Sequence, residues 1–391
     1  MSTVALPSHL PHPFSPAGRA DPYPAYRWLG EHSPVYLDQA SGMWLVTSHA
    51  GCTAALRDGR FSAALGQRER ARDDELPASM LTSDQPDHAR LRGPGAQLLG
   101  PAAIRAAADA FDAAARSVAG RLEGMDDADV ARDIGEPYAV EVFARLLAIG
   151  SGARPAFAAL ARRVSVNLDP LAGPAAGRAG TAAAAEFARF MDEHITELTV
   201  AGVRCPLTRL AADDRLSRGE MLGIVSLAVI GGFLPLADLA GHAVYWVTAG
   251  EAAGEPLGRL AGPPDGAVDE LMRLGTPIPF TARVTREAAE LGGVPLAAGA
   301  RVLLMTAAAN RDPAVFPDPD AYHPERSPNP HLAFGTGPHL CLGAPLVRTA
   351  GGILLGELAR RFPAARQLGA ARWDAPLVPR RLRGQRLLLR A

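Results

Sequence analysis

The chain has 391 residues, a formal net charge of −1 and a hydrophobic content of 48%. This composition supports a large core, and the near-neutral charge provides no basic footprint for nucleic acid. Three cysteines are too few and too scattered for a disulfide framework. The proline-rich residues 1–16 lack the apolar region of a secretory signal, and we see no apolar run long enough to span a bilayer. We therefore expect a cytoplasmic protein without membrane attachment.

The basic residues other than histidine are all arginine, since the sequence contains no lysine. Alanine, glycine and proline are abundant as well. These preferences indicate GC-rich coding and a bacterial source, and they carry no information about mechanism.

Local patterns predict the main elements in chain order. Residues 34–38 and 43–47 read as strands of a hairpin, and residues 101–124 and 136–149 have helical periodicity. Ser217 and Glu220, in capping-box spacing, begin a long helix that extends to about residue 249. A short helix carries Glu270, and strands follow at 281–285 and within 294–305. No repeat or linker divides the chain, so we expect one domain over residues 1–391.

Residues 334–343 form a glycine-rich loop that ends at a cysteine. Gly335 and Gly337 permit backbone angles closed to other residues, so the loop can bring its amides close to a flat cofactor. Cys341 precedes an apolar helical segment at residues 344–361, whose first unpaired amides favour a thiolate over a thiol. A free cysteine usually serves as a small buried hydrophobic residue. The fixed spacing of the loop glycines and the cysteine argues against that role for Cys341.

Upstream, Glu270 and Arg273 are three residues apart, which places them on one helical face and allows a salt bridge. Such a pair is common on solvated helices. The pair precedes residues 309–313 (Ala-Asn-Arg-Asp-Pro) and the cysteine loop. This order of motifs is more informative than the pair alone.

With these motifs in this order, the chain resembles the cytochrome P450 family over essentially its whole length. The resemblance implies a mostly α fold with a small β-rich lobe, a triangular helical prism around haem. The β-rich lobe is expected mainly from residues 21–60 and 277–310, and the helical haem-binding lobe from the remainder. Arg326 is expected to join the buried Glu270 and Arg273 cluster, with a structural role.

The resemblance also implies a cofactor, haem b, whose iron takes Cys341 as its axial ligand. Its haem-contact residues are Phe334 and Gly335 in the loop, and four expected propionate partners, His88, Arg92, Arg283 and His339. Cationic and hydrogen-bonding groups suit buried carboxylates, and arginine offers a fork of matching geometry.

The long helix departs from the family pattern, in which glycines precede an acid and a threonine that help deliver protons. Aligning Gly231 and Gly232 with the family glycines places Leu234 at the acid position and Pro235 at the threonine position. Neither side chain donates a proton. Proline costs about 3 kcal/mol inside a helix, so Pro235 either fixes a kink or begins a second helical segment. Asp238, one turn beyond Leu234, is a candidate substitute acid or a structural polar residue.

The function implied is oxidation of a small, largely apolar substrate in bacterial natural-product biosynthesis, by a monomer that uses dioxygen and electrons from ferredoxin and ferredoxin reductase. Three alternatives stay open: radical coupling or ring closure without oxygen insertion, peroxide-driven oxidation, and a haem-free docking module. By analogy, the substrate contacts are Ile278, Phe280, Phe233 and Leu168. Arg90 and Arg348 are candidate contacts for an acidic ferredoxin.

Overall fold

The fold is described from a computed structural model that covers residues 6–64, 79–165, 174–248, 256–260, 264–374 and 377–390. Leu168 lies outside these residues. The helices are α1 Pro16–Ala20, α2 Tyr23–His32, α3 His49–Arg57, α4 Asp87–Leu99, α5 Pro101–Leu122, α6 Glu136–Leu146, α7 Arg154–Val164, α8 Pro174–Val200, α9 Pro206–Ala211, α10 Arg218–Thr248, α11 Pro264–Gly275, α12 Thr306–Ala309 and α13 Ala344–Arg361. A π-helical turn, Val130–Gly135, precedes α6.

The strands gather into small sheets. They are β1 Val35–Asp38, β2 Met43–Val46, β3 Phe61–Ser62, β4 Asp127–Asp129, β5 Thr281–Thr285, β6 Ala289–Leu291, β7 Val294–Leu296, β8 Arg301–Leu304, β9 Arg366–Leu368, β10 Arg372–Trp373, β11 Leu382–Arg383 and β12 Arg386–Leu388. The largest sheet has the order β1-β2-β8-β5-β3, and a second has the order β4-β12-β9.

The five-stranded sheet joins two distant parts of the sequence. The predicted hairpin forms between β1 and β2, with Val35 opposite Val46 and Gly42 at a φ of 66° in the turn. β2 then pairs in parallel with β8, and β8 pairs antiparallel with β5. Strands from residues 35–62 and 281–304 therefore meet in one sheet, and this sheet carries Arg283 toward the candidate site.

The helix α10 begins with the predicted capping box. The Ser217 amide donates to Glu220 Oε2 at 2.9 Å, and the Glu220 amide donates to Ser217 Oγ at 3.2 Å. The helix runs without interruption through Pro235, so Pro235 does not begin a second helical segment. Because proline has no N–H, the Gly231 carbonyl lacks its usual partner four residues on.

The apolarity of α10 corrects one sequence-based expectation. With a mean hydropathy of 2.0 over an 18-residue window, α10 is long and apolar enough to cross a membrane, so the expectation that no such run exists is wrong. However, 67% of that window is buried inside the fold. This burial is typical of the central core helix of a folded domain, which is apolar on all sides.

Phe233 lies in the helical core. It is fully buried, and its ring makes edge-to-face contacts with Phe143 and Phe157 at centroid distances of 6.1 Å. A Cβ on Gly232 would lie 2.8 Å from the Phe143 ring, so the packing between α10 and α6 requires glycine there. These contacts fix the rotation of α10 about its axis.

A buried ion pair connects α11 to the segment before the cysteine loop. Glu270 and Arg273 have 0% exposure and form two hydrogen bonds of 2.8 and 2.7 Å. Arg326 Nε donates to Glu270 Oε1 at 3.2 Å, as expected from the resemblance, and Asn329 also donates to this carboxylate, at 3.1 Å. The carboxylate is thus fully satisfied away from water.

The guanidinium of Arg273 continues the network through backbone carbonyls. It donates to the carbonyls of Asn310, Pro319 and Ala321 at 2.9, 2.6 and 3.0 Å. The Asn310 side chain in turn accepts from the amide of Leu332 at 2.6 Å. One arginine therefore fixes the irregular chain that leads into the loop.

We predict that Arg273→Leu destabilises the fold by about 3–5 kcal/mol, because it leaves the Glu270 carboxylate buried without its main partner. Chemical unfolding followed by circular dichroism measures the change. The matched control is Arg27→Leu, whose ion pair with Asp320 has side chains 59% and 45% exposed. The control is expected to change stability by less than about 1 kcal/mol. Equal effects of the two substitutions would contradict the structural role of the buried pair.

Candidate active site

The cysteine loop depends on two glycines in left-handed backbone conformations. Gly335 has a φ of 67° and Gly337 a φ of 72°. A Cβ on Gly337 would meet the Leu56 carbonyl oxygen at 2.6 Å, so this position tolerates no side chain. The Cys341 amide donates to the Phe334 carbonyl at 2.8 Å and closes the loop. Cys341 is thereby held just ahead of α13.

The Cys341 thiol experiences opposing influences. Burial raises its pKa, and the amides of Gly343 and Ala344 with the guanidiniums of Arg92 and Arg348 act in the opposite direction. The helix amides therefore act in the direction that the sequence suggested, and burial acts against them. Coordination to a metal ion removes the proton of such a thiol.

Phe334 is held from two sides. The Arg348 guanidinium lies 4.9 Å from the ring centroid of Phe334, and the His331 ring lies 5.4 Å away. Arg348 also donates to Asp269 at 2.8 Å, and Asp269 precedes Glu270 on α11. These contacts attach the loop to the same helix that carries the buried ion pair.

The four residues predicted to contact propionates lie close together although they come from three elements. His88 and Arg92 lie on α4, Arg283 lies on β5, and His339 lies in the loop. The imidazole rings of His88 and His339 are 4.2 Å apart between centroids. Arg283 is 5% exposed and donates to Thr281 Oγ1 and to the Ala282 carbonyl at 3.1 and 2.8 Å.

Burial and neighbouring positive charges both disfavour the charged forms of the groups in this cluster. Burial lowers the pKa of Arg283 to about 10. Burial, followed by the charge of Arg283 and the nearby His88, lowers the pKa of His339 to about 4. The pKa of His88 is lowered by burial and by Arg92, and its buried Nε2 has no hydrogen-bond partner within the described part of the chain.

The residues present therefore suit a haem group. The cluster offers cationic groups and an unsatisfied imidazole nitrogen to carboxylates, which is the donor set that haem propionates require. The loop offers one cysteine sulfur, and Gly231 on α10 is exposed, with no atom within 4 Å of the position its Cβ would occupy. A cofactor bound between loop and helix would be ligated by Cys341 and anchored by the cluster.

The two positions at which the family carries its acid and its threonine are apolar here, as expected. Leu234 is 5% exposed and Pro235 is buried. Asp238 is also 5% exposed, and Arg381 Nε donates to its Oδ1 at 2.9 Å. Asp238 is therefore a buried, ion-paired carboxylate that is held by the C-terminal segment.

Two of the predicted substrate contacts belong to cores. Phe233 packs with Phe143 and Phe157, and Phe280 is 3% exposed with its ring 5.7 Å from Phe14. These side chains have their apolar surface covered by protein, and both assignments stay predictions. Ile278 is half-buried and stays a prediction.

Sequence reasoning missed Asp84, which lies beside the cationic cluster. Asp84 accepts from Ser62 Oγ at 2.5 Å and from the Ala63 amide at 3.0 Å, and it pairs with Arg286. It is the acidic group that counteracts the lowered pKa values of His88 and Arg283. The sequence does show an acid four residues before His88. Its packing against β3 depends on long-range contacts, which the sequence alone does not reveal.

We predict that Cys341→Ser abolishes the electron paramagnetic resonance signal typical of thiolate-ligated low-spin haem iron, because a serine hydroxyl does not replace the thiolate. Cys205→Ser, which changes a half-buried cysteine on another element, is the control and keeps the signal. A thiolate signal that persists in the Cys341 variant would refute the assignment of the ligand.

We predict that Arg283→Leu weakens haem binding at least about tenfold, since truncating one partner of a buried charge pair costs about 2–5 kcal/mol. The same change should not destabilise the haem-free protein, because it removes a buried guanidinium with no carboxylate hydrogen-bonded to it. Haem titration and unfolding of the haem-free protein measure the two effects. Arg301→Leu, at an exposed position on the neighbouring strand β8, is the control. Loss of stability with unchanged haem affinity would contradict the prediction.

Comparisons with known proteins agree with this geometry. The family model described as Cytochrome P450 matches residues 265–370. Nocardicin C N-oxygenase from Nocardia uniformis subsp. tsuyamanensis is 32% identical over 382 residues, which cover 91% of this chain and 92% of that protein. 6-Deoxyerythronolide B hydroxylase from Saccharopolyspora erythraea is 29% identical over 364 residues, with coverage of 88% and 89%.

Among solved structures, CalO2 superposes with a TM-score of 0.88 at 28% identity and covers 97% of this chain and 99% of its own. The mostly helical fold with small sheets is therefore the P450 fold. Its family implies a haem-thiolate cofactor, a small-molecule substrate and a redox partner. The full-length relatives, the shared fold and the cysteine loop together establish that this chain belongs to the cytochrome P450 family of oxidoreductases.

Proposed function

We propose that this protein is a bacterial P450 that oxidises a small, largely apolar molecule in natural-product biosynthesis. The observation that supports this most strongly is the cysteine loop beside a cluster of arginine and histidine side chains, which suits haem b in both charge and ligand. The relatives named for oxygenation of nocardicin C and 6-deoxyerythronolide B belong to the same chemistry. We further propose that residues 1–391 act as one domain, as a cytoplasmic monomer.

The chain's own residues have distinct roles in this proposal. Cys341 would hold the iron, and His88, Arg92, Arg283 and His339 would hold the propionates. When bound, the haem supplies the oxidising chemistry. Gly231 on α10 is exposed and has no atom within 4 Å of the position of a Cβ, so it would leave room for a bound group on that face of the helix.

Electrons are proposed to come from ferredoxin and its reductase on the cysteine side. Leu340, next to Cys341, is 45% exposed, and the exposed Arg57 bonds to the Thr336 hydroxyl in the same loop. Arg348 is 39% exposed and paired with Asp269. An exposed apolar residue in a loop that also contacts two arginines suits an acidic partner. Arg90 contributes less, since its charge is paired with Glu220 at 2.6 Å.

A second candidate function follows from Leu234 and Pro235. Without the acid and the hydroxyl, efficient proton delivery at this point of α10 is lost. Oxidation that removes electrons or hydrogen from the substrate, and then couples radicals or closes a ring, inserts no oxygen atom. Peroxide-driven oxidation is the other route that bypasses the missing groups.

Labelled dioxygen separates these functions. Nocardicin C and 6-deoxyerythronolide B serve as first probes, selected by their ability to shift the absorbance of the resting enzyme. With a ferredoxin system, we expect one labelled oxygen atom in the product. A dehydrogenated or dimeric product without label would favour coupling, and turnover that needs only peroxide would favour the peroxide route.

We predict that the double substitution Leu234→Glu with Pro235→Thr increases the fraction of NADPH electrons recovered in product and decreases released peroxide. It supplies an acid, a hydroxyl and the missing amide of residue 235. Leu234→Met with Pro235→Ala is the matched control, since it restores the amide without a proton-carrying group. If both double variants behave like the parent protein, the absence of an acid and a threonine at these two positions is irrelevant to the mechanism.

A further inference from the structure

Asp84 and Gln85 precede α4 and connect the end of β3 to the side chain of His88. The Asp84 carboxylate accepts from Ser62 Oγ at 2.5 Å and from the Ala63 amide at 3.0 Å. The Asp84 carbonyl accepts from the His88 amide at 2.9 Å. Asp84 therefore fixes the start of α4 against β3, and Gln85 lies between the anchor and the helix.

The strand β3 is also the neighbour of β5, which carries Arg283. In this antiparallel pairing, Ser62 lies opposite Val284. The anchor therefore brings α4 and β5 together. These two elements carry His88, Arg92 and Arg283, which are proposed to hold the propionates.

The Gln85 side chain contacts the imidazole of His88 directly. The amide nitrogen of Gln85 lies 3.3 Å from His88 Nδ1. An amide nitrogen only donates hydrogen bonds, so His88 Nδ1 is the acceptor in this pair and carries no hydrogen. In a neutral imidazole the single hydrogen then lies on Nε2, because the bond made by one ring nitrogen fixes the state of the other.

The second ring nitrogen of His88 is a buried donor without a partner. His88 is 2% exposed, and its Nε2 forms no hydrogen bond with any residue that the structure describes. The His339 ring is 4.2 Å away between centroids, and the charges of Arg92 and Arg283 act on the imidazole, yet none of these side chains bonds to Nε2. Arginine offers only donors, so a hydrogen on Nε2 explains why neither guanidinium pairs with it. The missing partner of His88 is an acceptor.

The charge state of His88 makes its tautomer important. Burial, followed by the charge of Arg92, lowers the pKa of His88, Arg283 also lowers it, and Asp84 acts in the opposite direction. His88 is therefore neutral at neutral pH, with one hydrogen and one lone pair on its ring. The other tautomer would turn the lone pair of Nε2, and not a hydrogen, toward a carboxylate.

We propose that Gln85 is a positioning residue for haem binding: its amide keeps the hydrogen of His88 on Nε2, where His88 donates to a haem propionate. Gln85 acts through His88, and the anchor at Asp84 holds both residues beside β5. A donor held in advance toward an anionic acceptor gives a stronger bond than one that must reorient. This role rests on the proposed function, because it requires a haem carboxylate as the acceptor.

The first test locates the hydrogens of His88 in the purified haem protein. Histidine labelled at its ring nitrogens is observed by nuclear magnetic resonance in the reduced carbon monoxide form, which is diamagnetic, and His88→Leu identifies the signals. The parent protein should carry a hydrogen on Nε2 and none on Nδ1. Gln85→Glu presents a carboxylate of the same length to Nδ1, so a hydrogen should appear there. A hydrogen on Nδ1 of the parent protein, or none on Nδ1 in Gln85→Glu, would overturn the proposal.

The second test measures the rate at which the haem protein loses haem to excess apomyoglobin. His88→Leu should accelerate this loss at least about tenfold, because it removes a hydrogen bond to a charged group. Gln85→Leu should accelerate it about fivefold, the effect of one ordinary hydrogen bond. Gln85 is exposed, so this change leaves the core intact. Gln97→Leu is the matched control, since it removes a glutamine on α4 that donates to Asp213 at 3.1 Å, and it should leave the rate unchanged.

A double variant separates action through His88 from a general structural effect. In the His88→Leu background, Gln85→Leu should have no further effect, because the residue through which it acts is gone. A fivefold effect that persists in that background, or an unchanged rate for Gln85→Leu alone, would overturn the proposal. A parent protein whose reduced carbon monoxide form lacks the absorbance of thiolate-ligated haem would instead reject the proposed function, and the role of Gln85 with it.

Discussion

The buried ion pair between Glu270 and Arg273 is the interaction on which the site depends. A charged pair with no exposure is stable only when every remaining donor and acceptor is satisfied. Here the backbone supplies those partners: Arg273 bonds three carbonyls between Asn310 and Ala321, and Glu270 accepts from the His323 amide at 3.1 Å. The long irregular segment before the loop is thereby ordered without regular secondary structure.

The same helix reaches the loop by a second route. Asp269 binds Arg348 of α13, and the Arg348 guanidinium lies against the ring of Phe334. The backbone of Phe334 in turn accepts from Cys341. The position of the cysteine sulfur therefore follows from neighbouring acids on α11, although neither touches the thiol. The buried ion pair on α11 and the Cys341 loop therefore belong to one network of contacts.

Local patterns predicted much of this arrangement. The hairpin, the Ser217 cap and the loop glycines depend on neighbours within a few residues, and each was confirmed. The packing of Phe233 was not predictable, because α10 is apolar on all sides and its sequence gives no indication of which face meets the core. The packing of Phe280 against Phe14 was not predictable either, because the two residues are far apart in the chain. The partner of Asp238, Arg381, lies more than a hundred residues away, and no local pattern connects the two residues.

The structure thus combines a complete set of cofactor-holding groups with an altered helix above them. We propose that the loop and the cationic cluster, supported by the buried ion pair, hold the haem, and that Leu234 and Pro235 alter the delivery of protons. The delivery of protons matters only if the chain binds haem. The carbon monoxide difference spectrum of the reduced protein tests haem binding through a cysteine thiolate most directly. We predict an absorbance maximum at the position typical of thiolate-ligated haem, and its absence from correctly folded protein supplied with haem would contradict the central claim.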